Sequence, residues 1–66
     1  MAVLKVIELL ASSDKSWEEA TRSAVKIASK TVKEIRSVYV QDMSAVVKGE
    51  QVTEFRVTVR ITFEVV

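Results

Sequence analysis

The chain has 66 residues, and ten lysines and arginines against nine acidic residues leave a net charge of +1. It has no cysteine and no histidine, which excludes disulfides, thiolate chemistry, structural zinc and the usual general base. This length gives one small domain, residues 1–66, whose isolated monomer is marginally stable, so that oligomerisation is the remaining route to stability.

The first predicted element is a strand over Val3 to Leu10. Its apolar residues fall on both faces: Val3, Leu4, Val6, Ile7, Leu9 and Leu10. A near-continuous apolar run is typical of a strand that is buried on both sides. One helix covers only one side, so we expect either a partner subunit on the other side or a strand end tucked under a loop.

A helix follows the polar segment Ala11 to Lys15. Ser16 and Glu19 have the spacing of a capping box, in which each side chain satisfies a free amide of the first turn. One helical face is small or apolar as far as Ile35: Trp17, Ala20, Thr21, Ala24, Ile27, Ala28, Thr31, Val32 and Ile35. Trp17 could stack on a ligand, but its place in this stripe favours an anchor in the core or at an interface.

The second predicted strand runs from Arg36 to Val47. Simple alternation places Val38, Val40 and Val46 on one face, and Tyr39, Met43, Ala45 and Val47 on the other. Asp42 is unusual in mid-strand. Three roles stay open for it: exposure to solvent, pairing with an arginine of the next strand, or binding a ligand hydroxyl.

Gly49, in the turn Lys48 to Glu50, supplies the positive φ of a tight hairpin. The third strand, Gln51 to Val66, alternates strictly, with apolar residues at odd positions from Phe55 and polar residues at even positions from Glu54. It is the longest strand, so we place it in the middle of the sheet.

These elements predict an α+β fold, a β-α-β-β protomer whose three-stranded antiparallel sheet has the order 1-3-2 and wraps one helix. The helix packs on the face of the third strand that carries Phe55 and Phe63. The opposite face, with Arg56 and Arg60, has no cover from its own chain, and subunits are expected to meet there and at the sheet edges.

Composition and motifs argue against several functions. The charges are dispersed, which gives no nucleic-acid or membrane surface, and Met1 to Leu10 carries Lys5 and Glu8 and is too short to span a bilayer. No phosphate-binding loop, nucleophile elbow or metal-ligand spacing is present. We therefore expect a cytoplasmic protein that is not an enzyme.

Four segments together resemble the dodecin family. They are KVIEL at Lys5 to Leu9, SWEEA at Ser16 to Ala20, TVKEI at Thr31 to Ile35, and FRVTVRITF at Phe55 to Phe63. The resemblance covers nearly the whole chain without a gap. It implies a dodecin-like homododecamer that binds riboflavin or its phosphate FMN in pairs at subunit contacts, for storage or sequestration.

The chain departs from the family pattern at the flavin site. Ser37 stands where the family has its flavin-stacking Trp, and Arg56 stands where the family has a Gln that hydrogen-bonds the ring, while Asp42 matches the acidic residue near the ribityl chain. Tyr39 could serve as a substitute platform for the ring, because its parity matches that of Ser37 and places it on the same side. The resemblance thus implies a cofactor-binding set of Ser37, Tyr39, Asp42 and Arg56.

Two alternatives stand beside flavin binding. Tyr39 and Arg56 could instead pack at a subunit interface. The assembly could also be a shell without flavin, or one that binds calcium, as some dodecin-like proteins without the Trp do. Hard oxygen donors for that ion are Asp42, Glu54 and Glu64, although no calcium-loop spacing is present.

Overall fold

The four predicted elements are present in the predicted order. A computed structural model of the protein describes residues 2–65. It contains strand β1 (Val3–Ser13), helix α1 (Trp17–Ala28), strand β2 (Ile35–Lys48) and strand β3 (Gln51–Val65). Strand β1 continues through three residues, Ala11 to Ser13, that were expected to form a polar break. Strand β2 is one residue longer than predicted at each end.

The three strands form one antiparallel sheet with the order β1-β3-β2, which confirms the predicted topology. β3 is central because its backbone pairs with β1 along one edge and with β2 along the other, and its 15 residues give partners to both neighbours. Gly49, with φ 64°, closes the hairpin between β2 and β3, as the sequence predicts.

Helix α1 begins as predicted but ends earlier. The Ser16 hydroxyl accepts a hydrogen bond from the Glu19 backbone N–H at 3.0 Å. The Glu19 carboxylate, instead of closing the capping box, lies 3.3 Å from Arg22. The prediction that the helix continues to Ile35 was wrong, because α1 ends at Ala28.

Short-range hydrogen bonds and a left-handed residue mark this early end. The Ser29 hydroxyl donates to the Lys26 carbonyl at 2.8 Å, and such local bonds compete with continuation of a helix. Glu34 then adopts a left-handed backbone, φ 62°, and its carbonyl accepts from the Glu64 N–H at 3.0 Å. This connection turns the chain into β2 and ties it to the end of β3.

The core lies between α1 and the odd-numbered face of β3. Three alanines of the helix and three β-branched residues of the strand are buried: Ala20, Ala24, Ala28, Val57, Val59 and Ile61. The small alanine side chains let the helix axis come close to the sheet. This confirms the predicted packing of the helix on this face.

The sheet is much longer than the helix that covers it. The protomer measures 51 × 19 × 13 Å, and a helix of 12 residues spans only about 18 Å. Large apolar side chains stay exposed in the protomer: Met43, Val47 and Val52 of the hairpin, and also Leu4, Val6 and Leu10 of β1, which lie opposite even-numbered residues of β3 on the face away from the helix. Within residues 2–65, no helix has the length and apolar character needed to cross a membrane.

Candidate functional site

The face of the sheet turned away from α1, named here the open face, carries all four candidate residues. Directly opposed residues of antiparallel strands point to the same side of a sheet. On β3 the open face is the even-numbered side, because the odd-numbered Val57, Val59 and Ile61 are buried under the helix. Each candidate residue of β2 lies opposite an even-numbered residue of β3, and Arg56 is itself one of these.

An irregularity in β2 places Asp42 on this face. The register shifts between Val40, which lies opposite Val59, and Asp42, which lies opposite Thr58. The extra residue, Gln41, reverses the alternation, as a β-bulge does. Without it, Asp42 would share the helix-facing side with Val40.

The bulge also corrects the predicted faces of the second half of β2. Met43 and Ala45 lie opposite Val57 and Phe55, on the helix side, whereas Val46 lies opposite Glu54 on the open face. Simple alternation assigned these three residues to the wrong sides. Asp42 in mid-strand was the only sign of the bulge in the sequence.

The candidate residues occupy four successive rows along the open face. Ser37 lies opposite Thr62, Tyr39 opposite Arg60, and Asp42 opposite Thr58, and the row after that is the row of Arg56. Ser37 and Tyr39 are about 7 Å apart along the strand, whereas Ser37 and Arg56 are separated by about 20 Å. One protomer therefore brings Tyr39 and Asp42 near each other but does not bring Ser37 to Arg56.

Tyr39 is the aromatic side chain on this face. It is 64% exposed, and no hydrogen bond of its hydroxyl is formed within residues 2–65. Trp17, by contrast, lies on the helix side, where its ring meets Phe55 edge-on at 4.9 Å and its indole N–H donates to the Ser44 carbonyl at 2.9 Å. Trp17 is thus an anchor between α1 and the hairpin, and it does not replace the missing ring platform.

Two of the arginines near this face are paired with carboxylates. Arg60 lies 3.7 Å from Glu8, its neighbour on β1. Arg36 lies 3.0 Å from Glu34 and 3.2 Å from Glu64. Arg56 forms no ion pair within the described part of the chain. The pairing of Asp42 with a β3 arginine, one of its three predicted roles, is likewise not formed there.

The calcium donors suggested by the sequence are far apart in one protomer. Glu54 and Asp42 are separated by about four residues of strand, roughly 13 Å, and Glu64 lies at the other end of the face and is paired with Arg36. Within residues 2–65, no three acidic side chains come close enough to hold a metal ion.

Three polar residues of the open face escaped the sequence analysis as site candidates. Ser12 lies opposite Arg56 on β1, and Ser44 lies opposite Arg56 on β2. Thr58 of β3 lies opposite Leu10 on β1 and opposite Asp42 on β2. Ser12 was missed because β1 was predicted to end at Leu10, and Ser44 was missed because its side depends on the bulge.

Comparison with known proteins gives a consistent result. The dodecin family model matches residues 3–66. A protein named calcium dodecin, from Mycobacterium tuberculosis, is 31% identical over 97% of this chain and 90% of its own length.

Solved structures of dodecins share the fold. A point mutant of the T. thermophilus dodecin superposes with a TM-score of 0.94 at 24% identity, covering 100% of this chain and 98% of the other. The dodecin from Streptomyces coelicolor gives a TM-score of 0.94 at 23% identity, covering 98% and 93% of the two chains.

Proposed function

Because the chain belongs to the dodecin family, we propose that it is an oligomeric small-ligand binding and storage protein whose ligand is a flavin. The proposed assembly is a homododecamer in the cytoplasm, and the proposed activity is binding without catalysis. The site is the open face, with Ser37, Tyr39, Asp42 and Arg56 as its binding residues.

The exposure of Tyr39 is the observation that carries this proposal. The Tyr39 ring is 64% exposed on the open face and lies opposite the Arg60 cation, so a ligand from solvent can reach it. A flat ligand ring stacked on Tyr39 would bury this surface and gain about 0.5–1.5 kcal/mol beyond the area term. Tyr39 thereby takes the role that the stacking Trp has elsewhere in the family.

The neighbouring rows fit the rest of a flavin. Ser37 is exposed at the position where the family has its stacking Trp, and it lies one row from Tyr39. Asp42 and Thr58 lie opposite each other in the next row and offer an acceptor and a hydroxyl to the ribityl chain. Arg56 offers a guanidinium group that stacks on a ring or binds an anion.

Self-association is supported by the apolar surface that the protomer leaves open. Leu4, Val6 and Leu10 of β1 lie on the open face, opposite polar residues of β3, and each is more than half exposed. Burial of such side chains is worth about 1.5–3 kcal/mol each. A partner subunit over β1 supplies that burial and places a second chain beside the ligand.

Equilibrium dialysis of the purified assembly against riboflavin and FMN tests the proposal. We expect saturable binding near one flavin per protomer. Tyr39→Ala should weaken this binding about two- to tenfold or more, since it removes the ring platform, whereas Tyr39→Phe should retain it. Absence of saturable binding, or equal binding by Tyr39→Ala and the parent, would contradict the proposal.

Calcium binding is the second candidate, and the observation that favours it is the 31% identical relative named calcium dodecin. The acidic residues of one protomer are too far apart to hold calcium together. A calcium site would therefore need carboxylates from several subunits, for instance copies of Asp42 or of Glu54 around a symmetry axis. Isothermal titration of the flavin-free assembly with calcium tests this candidate, and magnesium serves as the control ion. A calcium isotherm that is lost in Asp42→Asn and Glu54→Gln would support it.

A further inference from the structure

The hairpin of β2 and β3 carries apolar side chains that its own helix leaves uncovered. Met43 and Val47 lie on the helix-facing side of β2, because Met43 is opposite Val57 and Val47 is four residues further along the strand. Both are 61% exposed. Trp17, which donates to the Ser44 carbonyl of β2 beside them, is still 37% exposed. Met43, Val47 and the exposed edge of Trp17 are named here the hairpin patch.

A largely apolar groove, named here the α1–β1 groove, lies between the helix and the first strand. Its walls are residues 9–12 of β1 and, on one side of α1, Ser23, Ala24 and Ile27. Leu10 and Ile27 are more than half exposed there. The groove has a volume of about 270 Å³, below the roughly 300–1,000 Å³ typical of small-molecule pockets. Its size therefore suits a few aliphatic side chains of another chain better than a drug-sized ligand.

A raised apolar surface and a hollow one are thus both left without cover in one protomer. We infer that the hairpin patch of one subunit docks into the α1–β1 groove of a second copy of this chain. This inference rests on the self-association in the proposed function, and it names the two different surfaces that meet. The contact lies on the helix side of the sheet and does not involve the open face of Tyr39 and Arg56.

The surface area of the protomer points to a second copy as the occupant. Its accessible surface is 5033 Å². A folded monomer of 7.4 kDa exposes about 4,200 Å², from the usual scaling of surface with mass. The excess is about 800 Å², which is the area that each partner contributes to a standard interface. The elongated protomer therefore has surplus surface for about one such contact, and the hairpin patch and the α1–β1 groove are apolar parts of this surplus.

Charges near the two surfaces permit the contact but do not drive it. Lys30 follows Ile27 by three residues on the same side of α1, and Glu50 lies in the hairpin turn. Neither forms an ion pair within residues 2–65, so their opposite charges are free to meet across the contact. Lys48, beside the turn, reduces this attraction. Apolar burial is therefore the larger contribution, and the contact should persist at high ionic strength.

Cross-linking tests the contact cleanly, because the chain has no cysteine of its own. Val47→Cys and Ile27→Cys are co-expressed so that both kinds of subunit enter one assembly, and mild oxidation or a short bismaleimide then joins neighbouring thiols. We expect a covalent dimer. Lys26→Cys, one residue from Ile27 but on the solvent side of α1, replaces Ile27→Cys in the control and should give no dimer with Val47→Cys.

Trp17 gives a second readout of the same contact. It is the one tryptophan of the chain, and Ile27 lies about 15 Å from it along the same helix. Ile27→Asp places a charge in the groove and should shift the Trp17 emission to longer wavelength, because the hairpin patch of the neighbouring subunit then faces water. Lys26→Asp introduces the same residue on the solvent side and should leave the emission unchanged. Circular dichroism checks that both variants fold, and the cross-link tests the contact even if Ile27→Asp does not.

The outcomes separate this inference from the proposed function. A dimer specific to the Val47→Cys and Ile27→Cys pair supports the contact whether or not flavin binds in equilibrium dialysis. An oligomeric parent that gives no such dimer, or as much dimer with Lys26→Cys, overturns the contact and leaves the flavin proposal intact. A folded Ile27→Asp with unchanged Trp17 emission also overturns it. A parent that is monomeric in light scattering overturns both the contact and the proposed assembly.

Discussion

The substitution Ser37→Trp tests the map of the flavin site most directly. Ser37 is exposed on the open face, opposite Thr62 and about 7 Å along β2 from Tyr39. The exposed position can accept a larger side chain without a clash inside the protomer. An indole at this position would add a second aromatic surface next to Tyr39.

The expected gain follows from the stacking energy of one ring. Aromatic pairs contribute about 0.5–1.5 kcal/mol beyond the area that they bury. Since about 1.4 kcal/mol corresponds to a tenfold change in Kd, Ser37→Trp should tighten flavin binding about two- to tenfold. The area term adds to this gain, so these factors are a lower range.

Equilibrium dialysis gives the Kd of parent and variant, and light scattering checks that both form the same assembly. Ser29→Trp makes the same change at the exposed end of α1 and serves as the matched control, with unchanged flavin binding expected. If Ser37→Trp assembles normally and binds flavin no more tightly than the parent, the assignment of Ser37 to the ring site is refuted.

Two further predictions concern the fold that holds the site. Val59→Ala removes two fully buried carbons and should lower the free energy of unfolding by about 2 kcal/mol, whereas Val52→Ala, at a half-exposed position, should lower it much less. Unfolding in guanidinium chloride at one protein concentration measures both variants. Equal losses would contradict the assignment of Val59 to the core under α1. Ser16→Ala removes the acceptor of the Glu19 N–H and should lower the free energy of unfolding by about 1 kcal/mol. Circular dichroism should show this loss as a lower Tm. An equal loss in Ser29→Ala would contradict the capping role of Ser16.

The sequence by itself determined the order of elements, the antiparallel sheet and its central strand. The alternation of β3 is strict, so it assigns Val57 and Val59 to the helix-facing side and Arg56 and Arg60 to the open face without any knowledge of the other strands. The start of α1 was equally predictable, because Ser16 has a specific capping geometry. These features depend on local patterns, which a single sequence contains.

The end of the helix and the second half of β2 were decided only by the tertiary structure. Val32 and Ile35 continue the apolar period of α1, yet Ile35 begins a strand, because Glu34 turns the chain and bonds to Glu64 of β3. Hydrophobic periodicity does not record such a contact between distant parts of the chain.

The composition of the site depends on the same kind of contact. The bulge at Gln41 moves Asp42 and Ser44 to the open face, and pairing with β3 extends β1 as far as Ser12. The three-strand row of Ser12, Arg56 and Ser44 exists only once both registers are fixed. Register is a property of pairs of strands, so the residues that share a row could not be found from any one strand alone.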